Sequence, residues 1–252
     1  MKIAIITVAG ISSRFNEGVC EAQKVLKAIY SQGDVHQTLL YRLLERCVFA
    51  DRIVVVGGYK MEDLKKYCGE LEPALQKKIS LVFNSHYTDL ASGYSLYLGL
   101  QEAFQYNPEE ILFVEGDLDI DRESFHSVIE SENSVLTYTF EPIYANKAVV
   151  LYKDDKERYC YAFNSNHGLL SINSPFSCIL NSGQMWKFTE MDALRSANDR
   201  FYKETPDGTN LRIIQNYIDA GIRFDLIGLK RWTNCNTKAD YKKIVSYWEE
   251  EQ

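Results

Sequence analysis

Apolar residues in this chain fall into two patterns, unbroken runs and helically spaced stripes, and the two alternate. Ile3 to Val8 is an unbroken run, as expected of a strand covered on both faces in a parallel sheet. A glycine and serine turn follows. His36 to Phe49 then places Leu39, Leu40, Leu43, Leu44 and Val48 at the spacing of an amphipathic helix. Arg52 to Val56 is a second buried strand closed by Gly57-Gly58-Tyr59, Met61 to Leu75 a helix, and Ile79 to Phe83 a third strand. Ser92 to Phe104 reads as a helix and Glu110 to Val114 as a fourth strand. This alternation predicts an α/β fold with a Rossmann-like, doubly wound, mostly parallel sheet, whose ligands bind at the carboxyl ends of the strands.

The pattern then changes. Val135 to Phe140, Lys147 to Lys153 and Arg158 to Phe163 read as antiparallel strands, the last two joined by the polar turn Asp154-Asp155-Lys156-Glu157. Helical spacing returns over Leu211 to Ala220, followed by a strand at Arg223 to Leu229 and a terminal helix at Lys238 to Glu250. No repeat or linker interrupts the 252 residues. The chain therefore reads as a single domain, 1–252, with a parallel half over residues 1–130. Residues 131–252 carry a small antiparallel elaboration on the substrate side.

Composition narrows the function. Apolar residues at 46 % and charged residues at 25 % are ordinary for a soluble globular protein. A formal net charge of −7 argues against a protein that coats nucleic acid. An acidic protein that handles phosphates must gather positive potential in one cleft and back it with a metal. Cys20, Cys47, Cys68, Cys160, Cys178 and Cys235 are scattered without C-x-x-C spacing, against a zinc site or a disulfide framework. His36, His86, His126 and His167 show no metal-ligand spacing and read as surface or loop residues. The apolar run after Met1-Lys2 is too short for a signal peptide, and none approaches the ~18 residues that span a bilayer. The expected location is cytoplasmic, without membrane insertion.

Four stretches carry candidate chemistry. Ala9-Gly10-Ile11-Ser12-Ser13-Arg14 follows the first strand directly, where a small-residue turn exposes backbone N–H groups able to cradle phosphates. Arg14 offers a planar fork for phosphate oxygens, and Lys24 a mobile point charge. At the end of the fourth strand, Glu115-Gly116-Asp117-Leu118-Asp119 places carboxylates where a hard oxygen ligand for Mg²⁺ belongs. Asp117 is the first choice, with Glu115 and Asp119 behind it. Trp232-Thr233-Asn234-Cys235-Asn236-Thr237, with Asp240 beyond, reads locally as a strand end and a helix cap. Finally, Phe83-Asn84-x-x-Tyr87 leads into Ser92-Gly93-Tyr94-Ser95-Leu96-Tyr97-Leu98, where Ser92 has the residue type of an N-cap.

Together these stretches resemble the nucleotidyltransferase family of sugar-1-phosphate and choline-phosphate activating enzymes, over nearly the whole chain. That family joins an A-G-x-G-[ST]-R loop to a P-K-x-L segment, here Ala9-Gly10, Ser13-Arg14 and Lys24-Val25-Leu26. Ser12 stands where the family prefers glycine and Gln23 where it prefers proline; serine fits the loop if its φ is negative. The resemblance implies a triphosphate site from Ala9, Gly10, Ser12, Ser13, Arg14 and Lys24, and a Mg²⁺ site from Asp117 and Asn236. Asn84, Ser92, Gly93 and Ser95 would lie against base or ribose, and Gly57-Gly58-Tyr59 would shape the cleft floor. Gly183, with Trp186 near it, would line the acceptor pocket. Residues 1–130 would then form a nucleotide-binding half, and residues 131–252 an acceptor-binding half that completes the metal site.

The implied reaction is transfer of a nucleoside monophosphate from an NTP to a small phosphorylated acceptor. CTP is favoured through the likeness around Asn84 and Ser95. Phosphocholine, a phosphonate, a polyol phosphate and a sugar 1-phosphate all stand as acceptors, and a homodimer is compatible with the reading. Tyr138, Tyr144, Tyr152, Tyr159 and Tyr161, with Phe140, Phe163 and Trp186, offer either an aromatic cage for a quaternary ammonium or ordinary sheet packing. Two alternatives remain open at this stage. Asp117-Leu118-Asp119 is also the D-x-D pattern of GT-A-type glycosyltransferases that use nucleotide sugars, and an inactive nucleotide-binding homologue would keep the same fold.

Overall fold

The computed structural model describes residues 1–145, 148–163, 165–166 and 169–250. The first strand, β1 (Lys2–Thr7), lies at the middle of the parallel part of the sheet. Alternate residues of its apolar run serve two cores. Ala4, Ile6 and Val8 enter one cluster and Ile3 and Ile5 the other, which is why the run is unbroken rather than alternating. Helix α1 (Leu39–Arg46) is shorter than its sequence pattern; Thr38 caps it, with its hydroxyl accepting from the Tyr41 N–H at 3.0 Å. Strand β2 (Arg52–Gly57) follows, then α2 (Met61–Gly69) and a one-turn α3 (Pro73–Gln76). The expected Met61–Leu75 helix is thus split, the second piece opened by Pro73 at its first position. Strand β3 (Ile79–Phe83), helix α4 (Ser92–Phe104) and strand β4 (Glu110–Glu115) complete the alternation.

The second half departs further from its pattern. After β5 (Leu118–Ile120), α5 (Arg122–Glu130) and β6 (Ser134–Thr139) come β7 (Val150–Asp154) and β8 (Tyr159–Tyr161). A short ribbon of β9 (Ser165–Asn166) and β10 (Leu169–Leu170) precedes the long β11 (Phe176–Phe188). Helices α6 (Met191–Glu204) and α7 (Asn210–Ile218), strands β12 (Phe224–Leu229) and β13 (Trp232–Asn234), and α8 (Lys238–Glu250) end the chain. Lys147, the expected start of one strand, and His167 lie outside the described residues.

Among the described residues a nine-stranded sheet runs in the order β12-β6-β11-β4-β1-β2-β3, with the β7–β8 hairpin attached to β11. All its neighbours along that path are parallel except β11, which is antiparallel to both β4 and β6. The fold is the expected α/β architecture with a mostly parallel sheet and an antiparallel elaboration. One pairing differs from expectation: β6 runs parallel to β12, and the hairpin pairs with β11 instead. Strand β11 itself escapes the sequence pattern because the polar run Asn181-Ser182-Gly183-Gln184 crosses its centre. Those residues are buried, at a bulge in the pairing of β11 with β6.

Two short features bring distant segments to the sheet's carboxyl edge. Strands β5 and β13 pair antiparallel, laying residues 232–234 beside 118–120. The Cys235 N–H then bonds the Asp117 carbonyl at 2.7 Å.

Candidate active site

A cavity of about 310 Å³ opens at the carboxyl ends of β1 and β4. One wall is the loop from Val8 to Phe15, with Leu26 to Ala28 behind it; Glu115 to Asp117 form the floor. Asn236 closes one side, and Asn84, Tyr87, Leu90 to Ser92 and Ser95 the other. The register explains the meeting of loop and floor: Thr7 pairs with Glu115, so the chain leaves both strands at the same level.

The loop is fastened from behind by Asn16, a buried residue. Its side-chain amide donates to the Ser12 carbonyl at 3.1 Å and the Val25 carbonyl at 2.8 Å, and its oxygen accepts from the Val25 N–H at 3.0 Å. Ser12 has φ +55°, so the negative φ expected of a serine there is not found. The left-handed conformation explains the family's glycine, and costs a serine about 1 kcal/mol. Its hydroxyl gives some return by accepting from the Lys27 N–H at 3.3 Å. Arg14 is exposed along the cavity wall and ion-pairs with no carboxylate among the described residues.

Lysine placement differs from the sequence expectation. Lys24 lies outside the cavity, with its ammonium 2.6 Å from the Glu21 carboxylate. Lys27, three residues on, reaches into the site instead. Its Nζ lies 2.8 Å from Asp117 Oδ2 and 2.9 Å from the Cys235 carbonyl. The backbone accounts for the exchange: a 3₁₀ turn over Glu21–Gln23 ends in extended residues, and a second turn at Lys27–Ile29 brings the chain back against the core.

Among the acidic residues the structure separates three roles. Asp117 faces the cavity, and its Oδ1 is buried with no hydrogen-bond partner among the described residues. Glu115 accepts a 2.6 Å bond from the Asn210 side chain; burial, and then the neighbouring Asp117 charge, push its carboxyl up to about 7. Asp119 is turned into the protein body, where it accepts from the Trp248 indole at 2.7 Å and pairs with Arg231. Asp119 is therefore structural, and Asp117-Leu118-Asp119 does not present two carboxylates to one cation as a D-x-D motif would.

Asn236 lines the cavity, while Thr237 caps α8 in a reciprocal box: Asp240 accepts from the Asn236 and Thr237 N–H groups at 2.9 and 2.7 Å. A buried carboxylate oxygen without a donor, in a cavity that an asparagine also lines, suits a hard cation whose remaining ligands are water and phosphate oxygens. Among the described residues no three of His, Cys, Asp and Glu gather as a metal site, so the protein would contribute few ligands.

On the opposite wall, Asn84 donates to Ser95 Oγ at 2.9 Å and accepts from the His86 N–H at 2.8 Å. The Ser95 hydroxyl thus keeps its own proton for a ligand. Ser92 lines the cavity and is the first residue of α4, whose N-cap is Ala91; its hydroxyl meets Asn210 Oδ1 at 3.3 Å. Gly93 does not line the cavity. A Cβ there would lie 2.4 Å from the Gly208 carbonyl, so a close approach of α4 to residue 208 demands glycine.

The two acceptor-side expectations also fall in packed regions. A Cβ at Gly183 would lie 2.6 Å from both Thr137 and Leu229, and its carbonyl accepts from the Trp232 indole at 2.9 Å. Trp186 is 0 % exposed, stacked on Phe113 at 5.1 Å with its indole N–H on Tyr161. The middle-segment aromatics pair locally, Tyr138 with Phe140 and Tyr152 with Phe176, and form no common cage among the described residues. His36, His86 and His126 are surface residues beside carboxylates, as expected, and all six cysteines are free.

Asn16, Lys27 and Asn210 were not legible as site residues. Lys24-Val25-Leu26-Lys27 offers two lysines that spacing alone cannot rank, and Asn210 stands 95 residues from the glutamate it holds.

Solved structures with this architecture include nucleotidyltransferases. The inositol-1-phosphate CTP transferase from T. maritima aligns over 99 % of this chain and 97 % of its own at 17 % identity, with a TM-score of 0.68. The CTP:phosphocholine cytidylyltransferase from Streptococcus pneumoniae aligns over 98 % and 99 % at 17 % identity and 0.65. A UDP-glucose pyrophosphorylase complexed with UDP-glucose aligns over 100 % of both chains at 11 % identity and 0.70. The fold is thus the nucleotidyltransferase fold. By sequence, the chain belongs to the family described as "Domain of unknown function (DUF6564)", whose model matches residues 23–248. No curated protein matches it by sequence. Among the described residues, no helix is long and apolar enough to cross a membrane.

Proposed function

We propose that this protein is a nucleotidyltransferase that moves a nucleoside monophosphate from an NTP to a small phosphorylated acceptor, releasing pyrophosphate. The observation that carries the reading is Asp117 Oδ1, buried and unpartnered at the floor of the cavity walled by the Ala9–Arg14 loop. A carboxylate oxygen left in that state calls for a cation, and the loop above it offers backbone N–H groups and an unpaired guanidinium to a polyphosphate.

An oxygen of the acceptor phosphate attacks the α-phosphorus; the new P–O bond forms opposite the α–β bridging oxygen, and the bond from the α-phosphorus to that bridging oxygen breaks with its electrons leaving on pyrophosphate. The acceptor is already anionic at neutral pH, so no general base is needed. What the protein must supply is alignment and relief of repulsion between two anions. Arg14 and the loop N–H groups hold the triphosphate, and Lys27 takes the role that the sequence pattern gives to Lys24. Asp117 and Asn236 would hold Mg²⁺, which supplies charge neutralisation between the reacting phosphates when bound.

CTP is the proposed donor. Two of the structural neighbours are named as acting on CTP or with CTP, and Ser95 presents a hydroxyl donor that suits the pyrimidine carbonyl. The acceptor is proposed as phosphocholine, a phosphonate, a polyol phosphate or a sugar 1-phosphate, and the site of action as the cytoplasm. A pyrophosphate-release screen crossing four NTPs with these acceptor classes, with and without Mg²⁺, tests the whole reading. Release with one pairing supports it. Free nucleoside diphosphate from a nucleotide sugar, or NTP binding without turnover across the panel, would replace it.

A further inference from the structure

We propose that Lys27 is a tethered counterion for Asp117 that keeps the free protein from holding a divalent cation until a nucleoside triphosphate occupies the cavity. The inference rests on the function proposed above and concerns a lysine that the sequence pattern did not single out. Asp117 has two oxygens of different standing: Oδ2 carries the Lys27 ammonium at 2.8 Å, while Oδ1 is buried with no partner among the described residues.

The ammonium is not a loose surface charge. It also donates to the Cys235 carbonyl at 2.9 Å, on the segment that leads directly into Asn236. It therefore sits between the two stretches that would ligate a cation. Its backbone is tied to the Ser12 hydroxyl at 3.3 Å, and its neighbours Leu26 and Ala28 are both 2 % exposed. A single residue thus links the phosphate loop, through its backbone, to the floor and the closing segment at Asn236, through its ammonium.

A carboxylate half-neutralised by an ammonium is a poorer ligand, and a divalent ion on Oδ1 would feel the ammonium's charge at a few ångströms with partial screening. A triphosphate reverses the balance, because its negative charges attract both cations at once and give Lys27 new oxygen partners. Lys27 so couples cation binding to nucleotide binding, and an idle site stays largely cation-free.

Mn²⁺ titration followed by electron paramagnetic resonance, on the full chain without nucleotide, tests this. Lys27→Met is expected to bind Mn²⁺ at least about tenfold tighter than wild type, Lys27→Arg about as weakly as wild type, and Lys27→Met/Asp117→Asn to lose the gain. Equal or weaker binding by a folded Lys27→Met overturns the proposal. A second measurement needs no variant. Amine acetylation of wild type read by mass spectrometry should show Lys27 protected relative to Lys24, with protection falling as Mn²⁺ rises. Lys27 acetylation that stays constant while Mn²⁺ binds overturns the proposal as well. Mn²⁺ binding that depends on Asp117 but ignores Lys27 sinks only this inference. Binding that ignores Asp117 even with triphosphate present sinks the proposed function itself.

Discussion

The cavity wall and the aromatic middle of the chain are built to opposite rules. Around the cavity, polar groups are held in place but left short of partners: Arg14 has no carboxylate, and Asp117 Oδ1 has no donor, among the described residues. In the middle segment the chemically attractive residues complete one another. Trp186 gives its N–H to Tyr161 at 2.6 Å and its ring to Phe113, and the Tyr161 N–H bonds Gln215. Residue type made both regions look functional; what separates them is whether the hydrogen-bonding capacity is already spent inside the protein.

That contrast can be broken or sharpened by substitution. The largest effect is expected at Trp186: replacement by alanine should destabilise the protein by about 3–5 kcal/mol in urea or guanidinium titration, as for a fully buried aromatic. If Trp186→Ala instead melts like wild type and loses only acceptor affinity, the middle segment is a binding wall after all. At Asp117 the opposite is expected. Asp117→Asn should lower kcat at least ~100-fold in pyrophosphate-release assays, comparable to removing a central transition-state stabiliser. Near-normal turnover would remove the floor carboxylate from the chemistry.

Glu115 tests the same border in its pH dependence. Its carboxyl is raised in the folded protein, so the charged form is disfavoured there, and stability falls as pH climbs from the ordinary carboxylate range through about 7. With divalent ions chelated, Glu115→Gln keeps the acceptor for Asn210 and removes the charge. It should gain on the order of 2 kcal/mol over wild type at pH 8 and little at pH 5, by denaturant titration at both values. A pH-independent difference would contradict the burial argument. The smallest effect belongs to Lys24, whose surface pair with Glu21 should contribute little; Lys24→Ala is expected to change kcat/KM by less than about twofold. A large loss there would restore the family's lysine and demote Lys27.

The order of elements in the first half was legible because β1, β2 and β4 are apolar on both faces and the helices between strands carry apolar stripes; the helix ends were not, since α1 falls short of its pattern and Pro73 opens a separate turn after α2. In the second half β11 was not, since its centre is polar and buried at a bulge, and neither was α6, whose inner face includes Ala197 and Asn198 between Leu194 and Phe201. Local sequence fixes which residues can carry phosphate or metal chemistry: a small-residue loop after a strand, carboxylates at the end of another, an asparagine before a helix cap. It does not choose among near neighbours of the same type. Lys24 against Lys27, and Asp117 against Asp119, differ by three and two positions, and their fates were set by contacts more than a hundred residues away at Cys235, Arg231 and Trp248. Only the folded sheet brings those partners together: desolvation makes Asp119 a packed structural group and leaves Asp117 facing the cavity, while Lys27 is drawn onto the floor and Lys24 stays at the surface beside Glu21.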